Sequence, residues 1–112
     1  MRRKDSRAVA QDVIQFEINA LKNLKKNITK SFQKIVDVIL SCKDGKIIIS
    51  GVGKSGIIGK KWAATLSSTG SPSFFMDASN ASHGDMGQIR SKDVVILLSN
   101  SGQSEELKNI IK

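Results

Sequence analysis

Tyrosine is absent from this 112-residue chain, and tryptophan, histidine, cysteine and proline each occur once. No apolar run exceeds five residues, far short of the roughly 20 that cross a bilayer, so neither a membrane span nor a membrane partner is expected. The opening "MRRKDSRAVAQDV" does not read as a secretory signal, because no apolar stretch follows its basic residues before Asp12. Cys42 stands alone, which excludes an internal disulfide, makes a reducing cytosol the natural setting, and leaves it as a small apolar residue on a helix. One histidine, with nearby Asp residues and no second cysteine, lacks a persuasive ligand set, so no metal site is expected.

Aromatics make up only 4% of the chain, which weakens a nucleic-acid reading of its net charge of +8. The basic residues are spread out, and much of the excess is local. From Met1 to Lys30, eight Lys or Arg face three acids on predicted helical surface. Nucleic acid is therefore not an expected partner. With 39% hydrophobic and 25% charged residues, the composition is globular and sufficient for one small core.

Apolar residues at Ile14, Ile18, Leu21, Leu24, Ile28, Phe32, Ile35 and Ile39 step by three or four, the period of an amphipathic helix. "KKNITKS" interrupts them with cap-favouring Asn27, Thr29 and Ser31, which predicts two helices with a break between. "CKDGK" ends the second helix, with Gly45 supplying the turn. The grammar then changes. "KIIIS" suits a strand buried on both faces, "IIGKKWAATLSSTG" has helical spacing closed by Gly70, and "SPSFFM" and "DVVILLS" read as a second and third strand. Between those two strands "DASNASHGDMGQIRSK" reads as a polar loop, and a last helix starts near Ser104. Strands alternating with helices predict an α/β fold, a parallel sheet with right-handed crossovers and helices on its faces, preceded by two helices. The division expected is a helical segment over residues 1–45 and an α/β segment over 46–112.

In such sheets ligands bind beyond the carboxyl ends of the strands, where all three polar clusters fall. "GVGKSG" places Gly51, Gly53 and Gly56 in the spacing of a dinucleotide fingerprint, with Asp77 21 residues beyond Gly56. An NAD-binding Rossmann half is therefore a rival reading. A Walker A loop fits less well, because Ile48 occupies the place of its first glycine. "SNSGQS" separates the candidates: Ser99, Ser101 and Ser104 offer hydroxyl donors at the start of a helix, where an anion is favoured. With Ser55 and the backbone from Gly53 to Gly56 on the neighbouring strand, two clusters converge on one phosphate monoester. A dinucleotide would not need the second cluster. Each cluster alone is equally compatible with ordinary turns and caps. His83, in "SHGDMG", suits a proton carrier or hydroxyl binder by its near-neutral pKa. Lys54 could neutralise a phosphate or an oxyanion, and Glu105 or Glu106 could face the ligand.

In that order, "GVGKSG", "STGSPSFF", "HGDMG" and "SNSGQSEE" resemble the sugar isomerase (SIS) domain, and within it the arabinose-5-phosphate isomerases that precede Kdo synthesis in Gram-negative bacteria. The resemblance runs from about Gln15 to Lys112 and is strong from Lys46. It implies a doubly wound three-layer α/β/α sandwich on a five-stranded parallel core, homo-oligomeric in full-length relatives, cytoplasmic, with no cofactor. The implied reaction interconverts D-ribulose 5-phosphate and D-arabinose 5-phosphate. Gly53, Ser55, Gly56, Ser99, Ser101 and Ser104 would hold the substrate phosphate, and Lys54, His83 and Glu106 would be the catalytic groups. The chain departs from the family at "DASNAS" and at Gln103, where an acidic residue is common. The family also continues through further strands and helices, then CBS modules. The resemblance therefore implies an N-terminal fragment that is inactive alone, or else a non-catalytic sugar-phosphate-binding SIS module.

Overall fold

The computed structural model describes residues 5–81 and 84–111. The chain divides into two compact units, residues 1–36 and 37–112.

In the first unit, α1 (Ser6–Asn27) begins at Asp5, whose carboxylate accepts the Arg7 backbone N–H, the usual remedy for a helix's unpaired first amides. It ends at Ile28, where the backbone turns extended, and the Thr29 hydroxyl accepts the Ser31 N–H to start α2 (Lys30–Ser41), whose residues from Asp37 on belong to the second unit. The break expected at "KKNITKS" therefore has a capping residue as its cause. None of the residues of α1 is buried, and Ile14, Phe16, Leu21 and Leu24 are exposed.

In the second unit the sheet is three-stranded and wholly parallel, in the order β2-β1-β3, with β1 Ile47–Gly51, β2 Ser73–Asp77 and β3 Val94–Leu98. The central strand carries the β-branched run and is buried along its whole length. Its side chains alternate between two cores, as period 2 requires. On one face Ile47 and Ile49 pack with Ala63 of α3 (Gly53–Ser68) and with Ile39 and Cys42 at the end of α2. On the other, Ile48 packs with Met76, Ala81 of α4 (Ala78–Ala81) and Ile110 of α5 (Glu105–Ile111). Helices on both faces give the three-layer α/β/α arrangement that the sequence predicts.

Two local expectations need correction. "DASNASHGDMGQIRSK" is not all loop: it holds α4 and a 3₁₀ turn over Asp85–Gln88. Asp77 explains the first, because its carboxylate accepts the Ser79 N–H as a helix cap does. The helix read from "IIGKKWAATLSSTG" starts earlier than that segment, since α3 begins at Gly53 and takes Lys54, Ser55 and Gly56 into its first turn.

The amino ends of β1 and β3 are tied by Asp93. Its carboxylate accepts the Lys46 N–H at 2.8 Å, the Arg90 N–H at 2.7 Å and the Lys46 ammonium at 3.2 Å. The Asp93 side chain is 2% exposed. Its pKa lies below 3.8, first because of the Lys46 N–H and then the Arg90 N–H, with desolvation opposing and the Lys46 ammonium adding.

Candidate active site

The carboxyl end of β1 sets the geometry of the site. Gly51 lies opposite Asp77 of β2 on one side and Leu98 of β3 on the other. A Cβ on Gly51 would lie 3.2 Å from both the Gly56 nitrogen and the Leu98 carbonyl oxygen, so strand and helix approach too closely for a side chain. Gly53 follows with φ +59, a left-handed conformation that lets the chain turn from strand into helix, and its α-carbon faces open space. Because β2 and β3 leave β1 in opposite directions, the topological switch point lies over the ends of β1 and β3, where sheets of this kind take their ligands.

At that switch point a cleft of about 250 Å³ is lined by Ser55 and Ile58 of α3 and by Leu98, Ser99 and Asn100 beyond β3. It brings together Ser55 and Ser99, one from each of the two clusters singled out in the sequence. In the loop after β3 the Ser99 hydroxyl oxygen accepts the Gly102 N–H at 2.8 Å, and the Ser101 hydroxyl oxygen accepts the Gln103 N–H at 3.1 Å. Each serine thus shapes the loop through its oxygen and keeps its own proton as a donor. Gly102, at φ +69, makes the turn. Ser104 accepts through its carbonyl the Lys108 N–H, at the start of α5.

The other expected residues are not gathered at this cleft. Lys54 is exposed on the first turn of α3, and Glu106 is exposed on the first turn of α5, beside Glu105, whose carboxylate takes the Lys108 ammonium at 3.2 Å. Ser101, Ser104, Lys54 and Glu106 do not line the cleft, and Gly53 and Gly56 line a separate one. His83 lies outside the described residues. Among the described residues no group of three His, Cys, Asp or Glu could hold a metal ion, and no helix is long and apolar enough to cross a membrane.

That separate cleft, about 300 Å³, runs between α3 and the end of β2 and includes Lys60, Phe75, Asp77 and Ser79. Asp77 Oδ1 accepts the Ser79 hydroxyl at 2.6 Å and the Ser79 N–H at 2.9 Å. Its pKa is held below 3.8 chiefly by the Ser79 hydroxyl, next by the Ser79 N–H, with desolvation opposing and the Lys60 charge adding. Asp77 is thus ionised at neutral pH. Sequence spacing marks it only as the acid of a dinucleotide fingerprint, and does not single out Lys60 or Ser79. The one available signal is a helical step from Gly53 and Gly56 to Lys60, which puts all three on one side of α3.

The family model for the SIS domain matches residues 39–112. The chain belongs to the SIS domain family. Over 104 residues, 91% of its length, it is 45% identical to the arabinose 5-phosphate isomerase KdsD of Francisella tularensis. Among solved structures it superposes with a TM-score of 0.80 on an Escherichia coli CFT073 protein in complex with arabinose 5-phosphate, 41% identical, covering 96% of this chain and 58% of that one. A Bacteroides fragilis protein assigned provisionally to the phosphosugar isomerases of capsule formation gives a TM-score of 0.90 at 35% identity, covering 96% of this chain and 56% of that one. The chain spans about a third of the length of the curated relatives it matches. Within the SIS fold, Ser55 after β1 and Ser99 after β3 line one cleft at the sheet's switch point, between strands that are neighbours in space but not in sequence.

Proposed function

We propose that this SIS segment belongs to an aldose–ketose isomerase that interconverts D-arabinose 5-phosphate and D-ribulose 5-phosphate. The observation that carries the proposal is the cleft shared by Ser55 and Ser99, which offers two hydroxyl donors at the switch point of a parallel sheet. The Francisella tularensis relative named for that activity and the Escherichia coli structure with bound arabinose 5-phosphate support the same ligand class.

In this scheme Ser55, Ser99, Ser101 and Ser104, with the backbone from Gly53 to Gly56, bind the phosphate. Isomerisation moves one proton between C1 and C2 through an enediol, so a base must take it and a donor must stabilise the oxygens. Glu106 is assigned as the base, with His83 and Lys54 handling the oxygens. Oxidation at one carbon balances reduction at the next, so the chemistry calls for no redox cofactor. Turnover is assigned to a protein of the relatives' length, of which these residues supply the phosphate-binding walls. That protein is proposed to work in the cytoplasm as a homo-oligomer, feeding synthesis of Kdo for lipopolysaccharide.

Thermal-shift titration tests the ligand class. D-arabinose 5-phosphate is expected to raise the melting temperature of this chain progressively, and NAD to leave it unchanged. A shift by NAD without one by the sugar phosphate would replace the proposal with the dinucleotide reading. The role of the base is tested by Glu106→Gln made within a full-length protein of this family. Turnover should fall by about 100-fold or more, the usual contribution of a positioned general base.

A further inference from the structure

The cleft lined by Asp77 and Lys60 has no part in the phosphate scheme, yet it adjoins it. Gly53 and Gly56, assigned to the phosphate turn, line this cleft. Asp77 and Leu98 flank Gly51 in register, so the loop beginning at Ser99 and the Asp77 carboxylate leave the sheet two inter-strand spacings apart, about 10 Å. Over Gly53 the space is open, because nothing lies within 4 Å of where its Cβ would stand.

The chemistry at the far end is that of hydroxyl recognition. Both Ser79 bonds fall on Asp77 Oδ1, and among the described residues no hydrogen bond falls on Oδ2. An ionised carboxylate fixed in this way can only accept, and a hydroxyl is its natural donor. The Lys60 ammonium stands 5.5 Å from the centre of the Phe75 ring, which holds this cation beside the same cleft.

We propose that Asp77 and Lys60 form the hydroxyl-recognising end of the phosphosugar site, with Asp77 Oδ2 accepting from hydroxyls at the end of the pentose away from the phosphate and Lys60 donating to one of them. The assignment rests on the phosphosugar function proposed above. In it the phosphate binds between Ser55 and Ser99, and the sugar hydroxyls reach Asp77.

Asp77→Asn separates recognition from a merely structural role. Asparagine caps a helix as well as aspartate, so Oδ1 can keep its Ser79 bonds while the amide turns an acceptor in the cleft into a donor. Calorimetric titration of this chain uses three probes: inorganic phosphate, glycerol 3-phosphate and D-arabinose 5-phosphate. The wild-type chain should bind the pentose phosphate more tightly than the other two. Asp77→Asn should weaken the pentose phosphate about tenfold or more, as loss of a charged hydrogen bond does, and leave inorganic phosphate unchanged. Lys60→Met should act in the same direction, and thermal melts check that each variant folds. Equal weakening of all three probes, or unchanged pentose affinity in both variants, overturns the proposal. So does tight NAD binding that Asp77→Asn abolishes, which would make the cleft a ribose site. If the wild-type chain binds none of the phosphates, the phosphosugar function itself falls, a result distinct from a wild type that binds the pentose phosphate with no dependence on Asp77.

Discussion

The hydroxyl of Ser50 is fully buried on β1 and has no hydrogen-bond partner among the described residues. A polar atom so placed has given up water without compensation, so its removal relieves a cost. Ser50→Ala is expected to leave stability unchanged or to raise it by up to about 1 kcal/mol, read from denaturant melts; a clear loss would mean that the hydroxyl does have a partner. Asp93 is the opposite case, a buried carboxylate with three donors on two oxygens. Asparagine supplies one acceptor oxygen and sets an amide against a remaining donor, so Asp93→Asn should lower the melting temperature at pH 7. Because folding depresses the Asp93 pKa below 3.8, its stabilisation is present above that value and lost as the pH falls through the lower folded pKa. The gap between wild type and Asp93→Asn should therefore narrow below about pH 3.8, and a gap of constant size from pH 7 to pH 3 would remove the carboxylate as its source.

At the scale of elements, close backbone approach decides what sequence alone can and cannot tell. "KIIIS" is legible as a doubly buried strand because its apolar run has no polar face, and the structure buries all of β1. Gly45 is legible as a turn, but its reason is not: a Cβ there would strike the Lys92 carbonyl group, where the entry to β1 meets the entry to β3. Gly45→Ala should destabilise by on the order of 3 kcal/mol, since backbone on both sides cannot yield, with chemical denaturation as the measure. Gly59→Ala is milder. Its added methyl would meet the Ile49 and Phe75 side chains at 3.1 Å, and alanine's helix propensity partly offsets the crowding. The same limit governs the site. Ser55 and Ser99 can each be placed beyond a strand end from sequence, whereas their meeting in one cleft, and the separation of Gly53 and Gly56 into a second with Asp77, depend on which neighbour lies on which side of β1. Strand order is a long-range property that no local pattern encodes. The short helix α4 escapes the sequence for a different reason. "DASNAS" is rich in residues that favour turns, and only the Asp77 cap and the burial of Ala78 and Ala81 make it helical.

For the whole molecule, the two compact units carry unequal shares of the stability. Both core clusters are built from residues between Ile39 and Ile110, within the second unit. Helix α1, by contrast, buries none of its own side chains, and a helix held by propensity alone is marginal in water. Residues 37–112 alone should therefore unfold in one cooperative transition, while a peptide of residues 1–36 should show only partial, non-cooperative helicity by circular dichroism. Both clefts also lie within the second unit, so the shorter piece should retain whatever melting-temperature shift D-arabinose 5-phosphate produces in the full chain. Loss of the shift with the cooperative transition intact would show that the first 36 residues contribute to the site. Loss of the transition itself would show that the sheet depends on them for its fold.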